Sequence, residues 1–160
     1  MALLLDTNTG TMKKIARNDK CASGLGGFLD TMAKVMQVSL EEMGELALKA
    51  SRKQNIDSTC AVFAESEVIS YIHTGVLKEE IMAGIIDLVV QKAIGLLYKL
   101  GINGDVVLAG GVAKNPAALK IAEETIGKRV IVPPKPQIIG ALGAALIAQE
   151  KFSQLVSRGE

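Results

Sequence analysis

Asp105-Val106-Val107-Leu108-Ala109-Gly110-Gly111-Val112-Ala113-Lys114-Asn115-Pro116 passes from an apolar run through paired glycines into an Asn-Pro step. A short apolar run bounded by glycine is the pattern of a strand buried on both faces, so residues 105–109 read as one. Pro116 stands where a first-turn proline belongs, and a helix is expected over residues 116–126. A second short strand follows at 129–132, ended by Pro133 and Pro134. A last helix is expected over 140–152. Strand, glycine turn, helix and strand in this order make an α/β unit.

Working back from that unit, residues 77–100 form the longest helical period, and Gly101 is its stop signal. Residues 65–73 read as helical behind a short apolar run at 59–63, and the single histidine, His73, closes them as a C-terminal charge. Ser39 and Glu42 have capping-box spacing, so a helix starts at Leu40 and runs to about Ala50. Phe28, Leu29, Met32, Val35 and Met36 share one helical face. Met32, Met36 and Met43 are assigned to the core. Residues 18–27 are a polar, glycine-rich loop. Residues 3–6 and 12–16 are two strands around the Thr7-Asn8-Thr9-Gly10 turn, with Asp6 as a turn residue. The expectation is one domain over residues 1–160, α/β in class, with a mixed sheet flanked by helices.

Composition narrows the function. The chain has 160 residues, 49% of them hydrophobic, enough for one compact core. Eighteen Lys and Arg against 17 Asp and Glu give a net charge of +1, without the basic excess of a nucleic-acid binder. Aromatic residues make up 3% and tryptophan is absent, which argues against stacking platforms for single strands. Met1 to Leu5 lacks the positive region of a signal peptide and reaches Asp6 at once. The charge-free apolar stretch at 140–148 falls far short of the roughly 20 residues of a bilayer span. The expectation is a cytoplasmic protein that binds neither nucleic acid nor membrane.

Gly110 and Gly111 permit close approach of a ligand to the backbone, and the following helix offers free N–H groups. The same residues also make an ordinary tight turn. Gly140, Gly143 and Ala144 set small residues along one helix, a pattern of close packing. Glu65 and Glu67 are two apart, so they do not share a helix face and read as N-terminal helix charge. Lys13, Lys14, Arg17 and Lys20 form a basic run, read as a solvated strand face.

Further motifs narrow the reading. Gly110-Gly111-Val112-Ala113-Lys114-Asn115, Pro136-Gln137 and Gly140-Ala141-Leu142-Gly143-Ala144-Ala145 resemble the adenosine and second connecting motifs of actin-like ATPases. Asn18-Asp19-Lys20-Cys21-Ala22-Ser23-Gly24 and Cys60-Ala61-Val62-Phe63-Ala64-Glu65-Ser66-Glu67-Val68-Ile69 add specificity. Together they resemble the activator ATPases of 2-hydroxyacyl-CoA dehydratases and the related ATPase subunits of benzoyl-CoA reductases, over nearly the whole chain. The resemblance implies a ribonuclease H-like domain, the second of two in that family. It implies adenine nucleotide (ATP or ADP with Mg) at Gly110, Gly111, Val112 and Gln137. It also implies a homodimer with one [4Fe-4S] cluster shared between two subunits and held by Cys21 and Cys60. The partner would be an acyl-CoA dehydratase or reductase, which receives a low-potential electron.

The chain departs from the family in two ways. The first domain and its phosphate loops have no counterpart here, so a separate chain carrying that domain is a candidate partner. Gly24-Leu25-Gly26-Gly27 stands where the family carries Gly-Thr-Gly-Arg. No catalytic residue is assigned, and hydrolysis by the chain alone is not expected.

Cys21 and Cys60 are the only cysteines, too few for a disulfide scaffold. Taken by itself, each reads as a small buried hydrophobe. Four thiolates are needed for such a cluster, and a two-fold axis would supply them from two chains. Each cysteine precedes an expected helix, whose N-terminus favours thiolate. Two other readings stand beside the activator: a non-hydrolysing regulatory or interaction module with the same fold, and a sugar or acetate kinase relative. The cysteine motifs count against the kinase.

Overall fold

The computed structural model describes residues 1–17, 25–57 and 61–158. Two strands, β1 (Ala2–Leu5) and β2 (Met12–Ala16), pair antiparallel. Asp6 turns the chain between them. Its carboxylate accepts the Asn8 N–H at 2.8 Å and pairs with Lys13 Nζ at 2.7 Å. The Lys13 ammonium, then the Asn8 N–H, hold the Asp6 carboxyl below its ordinary value. Asp6 is therefore a turn residue, as read. A register shift between Leu4 and Leu5 leaves Lys13 as the bulged residue opposite them.

Among the described residues six helices follow: α1 (Leu25–Val35), α2 (Leu40–Ala47), α3 (Ala61–His73), α4 (Lys78–Leu100), α5 (Pro116–Ile126) and α6 (Ile139–Arg158). The capping box is complete in both halves. Ser39 Oγ accepts the Glu42 N–H at 3.1 Å, and the Glu42 carboxylate accepts the Ser39 N–H at 2.8 Å. That backbone donor holds Glu42 below the ordinary carboxylate range.

Between α4 and α5 lies β3 (Val106–Val107), and after α5 comes β4 (Val130–Ile131), parallel to β3. The class is α/β. Among the described residues the strands form two separate two-stranded sheets, not one mixed sheet. Several boundaries differ from the expectation, among them the start of α3, at Ala61 instead of residue 65. Strands β3 and β4 are shorter than 105–109 and 129–132, because each has one short partner to pair with. Gly26 and Gly27 lie inside α1 instead of the preceding loop. Helix α2 ends at Ala47, short of Ala50. Helix α6 runs six residues past Phe152, where Leu155 and Val156 continue its apolar pattern.

The core is helical. Met32, Met36 and Met43 are buried as expected, against Ile81, Met82, Ile85 and Ile86 of α4. By length and apolar composition α4 could cross a membrane, but it is the central core helix, with 56% of its most apolar window buried. The extended segment 51–57 lies across α4. A Cβ on Gly84 would sit 2.0 Å from the Gln54 carbonyl oxygen, so only glycine permits this crossing. The Gln54 N–H donates to the Glu80 carbonyl at 3.0 Å. The buried Glu80 carboxylate accepts from Ser51 Oγ at 3.2 Å and pairs with Arg52 Nε at 3.0 Å.

Two glycines of α4 give opposite predictions. Gly84→Ala forces the 51–57 segment off the helix and should cost about 1–3 kcal/mol or more, as overpacking does. At Gly95 an added Cβ meets nothing within 4 Å. Gly95→Ala should stabilise by up to about 1 kcal/mol through helix propensity. Equilibrium urea unfolding of both variants measures the two signs.

Candidate functional site

The parallel pair β3 and β4 builds the site at its carboxyl ends, where open α/β sheets hold their ligands. Val106 lies opposite Val130 and Val107 opposite Ile131, and the Leu108 N–H extends the ladder to the Ile131 carbonyl at 2.9 Å. The chain leaves β3 through Gly110, whose φ of 96° and ψ of −177° suit glycine alone. The Gly110 N–H donates to the Pro136 carbonyl at 2.8 Å. This bond closes the loop after β3 onto the loop after β4.

Two 3-10 turns result, Gly111–Lys114 and Pro136–Ile138. The second is entered through Lys135, a non-glycine residue at φ 51°. Gln137 is exposed, and its Nε2 lies 3.4 Å from where a Cβ on Gly111 would stand. Val112 is half-buried and packs on the core. Gly110, Gly111, Val112 and Gln137 therefore share one lip, although 26 residues of sequence separate Gly111 from Gln137.

Asn115 ends the first turn and starts α5. Its Oδ1 accepts the Ala118 N–H at 3.0 Å, and Pro116 occupies the first helical position. The residue is 7% exposed, and its Nδ2 is a buried nitrogen without a hydrogen-bond partner. Helix α2 reaches this point through Gly44, where a Cβ would lie 2.9 Å from Asn115 Oδ1. Asn115 was read from sequence only as the end of the glycine motif, and Gly44 was not singled out. An Asn-Pro step is a cap signal, and a glycine inside a capped helix signals close packing.

Cys21 and Cys60 lie outside the described residues. Helix α1 starts four residues after Cys21, helix α3 starts directly after Cys60, and the two helices pack together. Among the described residues no group of three or more His, Cys, Asp or Glu could hold a metal ion. Glu67 is not merely helix-end charge: its Oε1 accepts the Asp57 N–H at 3.2 Å and lies 3.1 Å from the Tyr71 hydroxyl. Glu65, two residues before it, is half-buried. His73 occupies the last turn of α3.

Residues 2–148 match the model of the BadF/BadG/BcrA/BcrD ATPase family. The chain belongs to that family. Among its members, the activator of lactoyl-CoA dehydratase from Anaerotignum propionicum is 47% identical over 149 residues, covering 93% of this chain and 57% of that one. Two solved structures agree. The activator of the 2-hydroxyisocaproyl-CoA dehydratase from Clostridium difficile, with bound ADPNP, has a TM-score of 0.88 at 40% identity and covers 98% of this chain. Component A of the (R)-2-hydroxyglutaryl-CoA dehydratase of Acidaminococcus fermentans has a TM-score of 0.82 at 46% identity, over 89% of this chain. The fold is that of the actin-like ATPases. The family member described here spans 55–58% of the length of these proteins.

The two loop glycines should differ when replaced. Gly110→Ala places a side chain where only glycine is at ease and should cost about 1–3 kcal/mol. Gly111→Ala brings a methyl to van der Waals distance of the mobile end of Gln137 and should leave stability within about 0.5 kcal/mol. Urea unfolding midpoints of the two variants test this contrast.

Proposed function

We propose that the chain is the nucleotide-binding half of an ATP-driven activator that passes a low-potential electron to an acyl-CoA dehydratase or reductase in the cytoplasm. One observation carries this reading: the Gly110 to Pro136 hydrogen bond closes the glycine loop onto Gln137, in a fold shared with an activator that binds ADPNP. In this reading Gly110 and Gly111 let the ribose and α-phosphate approach the backbone, Val112 backs the loop from the core, and the Gln137 amide bonds the nucleoside. In this reading the loops for the β- and γ-phosphates and Mg belong to the part of the activators that residues 1–160 do not match, so these residues alone bind nucleotide weakly and hydrolyse it negligibly.

The electron-carrying part of the proposal rests on Cys21 and Cys60. Two chains related by a two-fold axis would offer four thiolates to one [4Fe-4S] cluster, which when bound takes up and releases one electron. Support comes from the helix starts: α1 and α3 touch, and each begins within four residues of a cysteine. Their N-termini would favour thiolate at both positions. Leu25 and Gly27, standing where the family has Thr and Arg, favour a second reading, a module that binds nucleotide without driving electron transfer.

Calorimetry with Mg-ATP and Mg-ADP should show weak binding and no turnover. Tight binding with turnover would overturn the half-site argument, and no binding of either nucleotide would overturn the nucleotide assignment. Anaerobic reconstitution with iron and sulfide should give about four irons per two chains, and Cys21→Ser or Cys60→Ser should abolish it. A protein that stays colourless favours the second reading.

A further inference from the structure

Asn103 and Gly104 sit in the connection from α4 to β3, at the end of that strand away from the glycine lip. The chain leaves α4 through Gly101, whose φ is 82°, and bends again at Gly104. Asn103 and Gly104 are both exposed. Among the described residues, neither the Asn103 carboxamide nor the Gly104 N–H has a hydrogen-bond partner.

An asparagine side-chain carbonyl is open to attack by the backbone nitrogen of the next residue. The attack needs a nitrogen that carries no hydrogen bond and is not crowded by its own side chain. Glycine meets the second condition because it has no Cβ. The other four asparagines meet the conditions less well. Asn8 precedes β-branched Thr9, whose N–H already donates to the Asp6 carboxylate at 3.3 Å. Asn55 precedes the branched and buried Ile56. Asn115 precedes Pro116, which has no N–H. Asn18 precedes Asp19, a larger and negatively charged neighbour, and lies outside the described residues.

We propose that Asn103 is a site of spontaneous deamidation, converted through a cyclic imide to aspartate and isoaspartate. The Gly104 nitrogen bonds to Asn103 Cγ, the Cγ–Nδ2 bond breaks, and the amide group leaves as ammonia with the proton from the Gly104 N–H. Water then opens the imide, its hydroxyl going to a carbonyl carbon and its hydrogen to the nitrogen. Opening at Cγ leaves aspartate. Opening at the main-chain carbonyl leaves isoaspartate, with the chain running through the side-chain carbon. Water is the only co-reactant, and no change of oxidation state occurs. Either product sets a new negative charge beside Asp105, and a chain of net charge +1 becomes neutral. The iso product also inserts a backbone carbon ahead of β3, whose pairing covers only Val106 and Val107. None of this depends on the activator reading.

The test incubates the full chain under native conditions in mildly alkaline buffer and follows each asparagine by peptide mass spectrometry. Asn103 should change from amide to acid ahead of the other four. An isoaspartyl carboxyl methyltransferase with labelled S-adenosylmethionine should then methylate the aged chain and not the fresh one. Asn103→Gln should lose both signals. A Cβ at Gly104 meets nothing within 4 Å and its backbone is outside the left-handed region, so Gly104→Val should keep the parent's circular dichroism. Its branched side chain shields the nitrogen, and conversion at Asn103 should fall to the level of Asn8. An Asn103 that stays an amide in the native chain, a faster conversion at another asparagine, or an undiminished rate in Gly104→Val overturns the inference.

Discussion

The passage of residues 51–57 over α4 at Gly84 is the contact on which the rest of the molecule depends. With no side chain at that position, the Gln54 carbonyl rests against the helix backbone. The segment is then fixed from several sides: Gln54 to the Glu80 carbonyl, Ser51 and Arg52 to the Glu80 carboxylate, and Lys53 to Asp87 at 2.7 Å. Its far end is bonded to α3, where Tyr71 Oη lies 3.0 Å from the Asn55 carbonyl and Glu67 accepts the Asp57 N–H. Removing one partner from the Glu80 group would leave a buried carboxylate undercompensated, a costly state. The crossing therefore fixes α3, and with it the chain directly after Cys60, on the central helix.

Helix α4 also carries α5, and α5 carries the glycine loop. Gln91 Nε2 bridges Asp87 to Thr125 Oγ1 of α5 at 3.3 Å to each. Near the same end of α5 the Glu123 carboxylate accepts the Val130 N–H at 2.9 Å and sets the entry of β4. Once β4 is placed beside β3, the loops that leave the two strands meet, and Gly110 bonds to Pro136. Two-residue strands contribute little to stability by themselves. Their service is geometric: parallel register carries Gln137 to Gly111 across a long sequence separation. The lip of Gly110, Gly111, Val112 and Gln137 and the helices α1 and α3 thus hang from one core helix.

Much of this was legible in the residues because helices announce themselves locally. The Ser39 and Glu42 box, the Met32, Met36 and Met43 face and the Asn-Pro start of α5 need only a few neighbouring residues to be read. Sheet extent is a different matter. Val106 and Val130 read correctly as strand, but how far a strand runs depends on partners, and here each has one. The group of Gly110, Gly111, Val112 and Gln137 came from motif resemblance; no spacing rule brings residue 111 to residue 137. Gly84 and Gly44 were missed because a glycine inside a helix signals crowding without naming the neighbour. The outer end of α6 was missed because Ser153 and Gln154 interrupt a pattern that Leu155 and Val156 resume.

Backbone amide spectra of the labelled chain, recorded while Mg-ADP is added, test the central claim most directly. The account predicts that the amides of Gly110, Gly111, Val112 and Gln137 shift together and saturate at one nucleotide per chain. The Asp6–Gly10 turn, which imitates a phosphate loop in sequence, should stay still. Shifts confined to that turn, or none at the lip between β3 and β4, would contradict it.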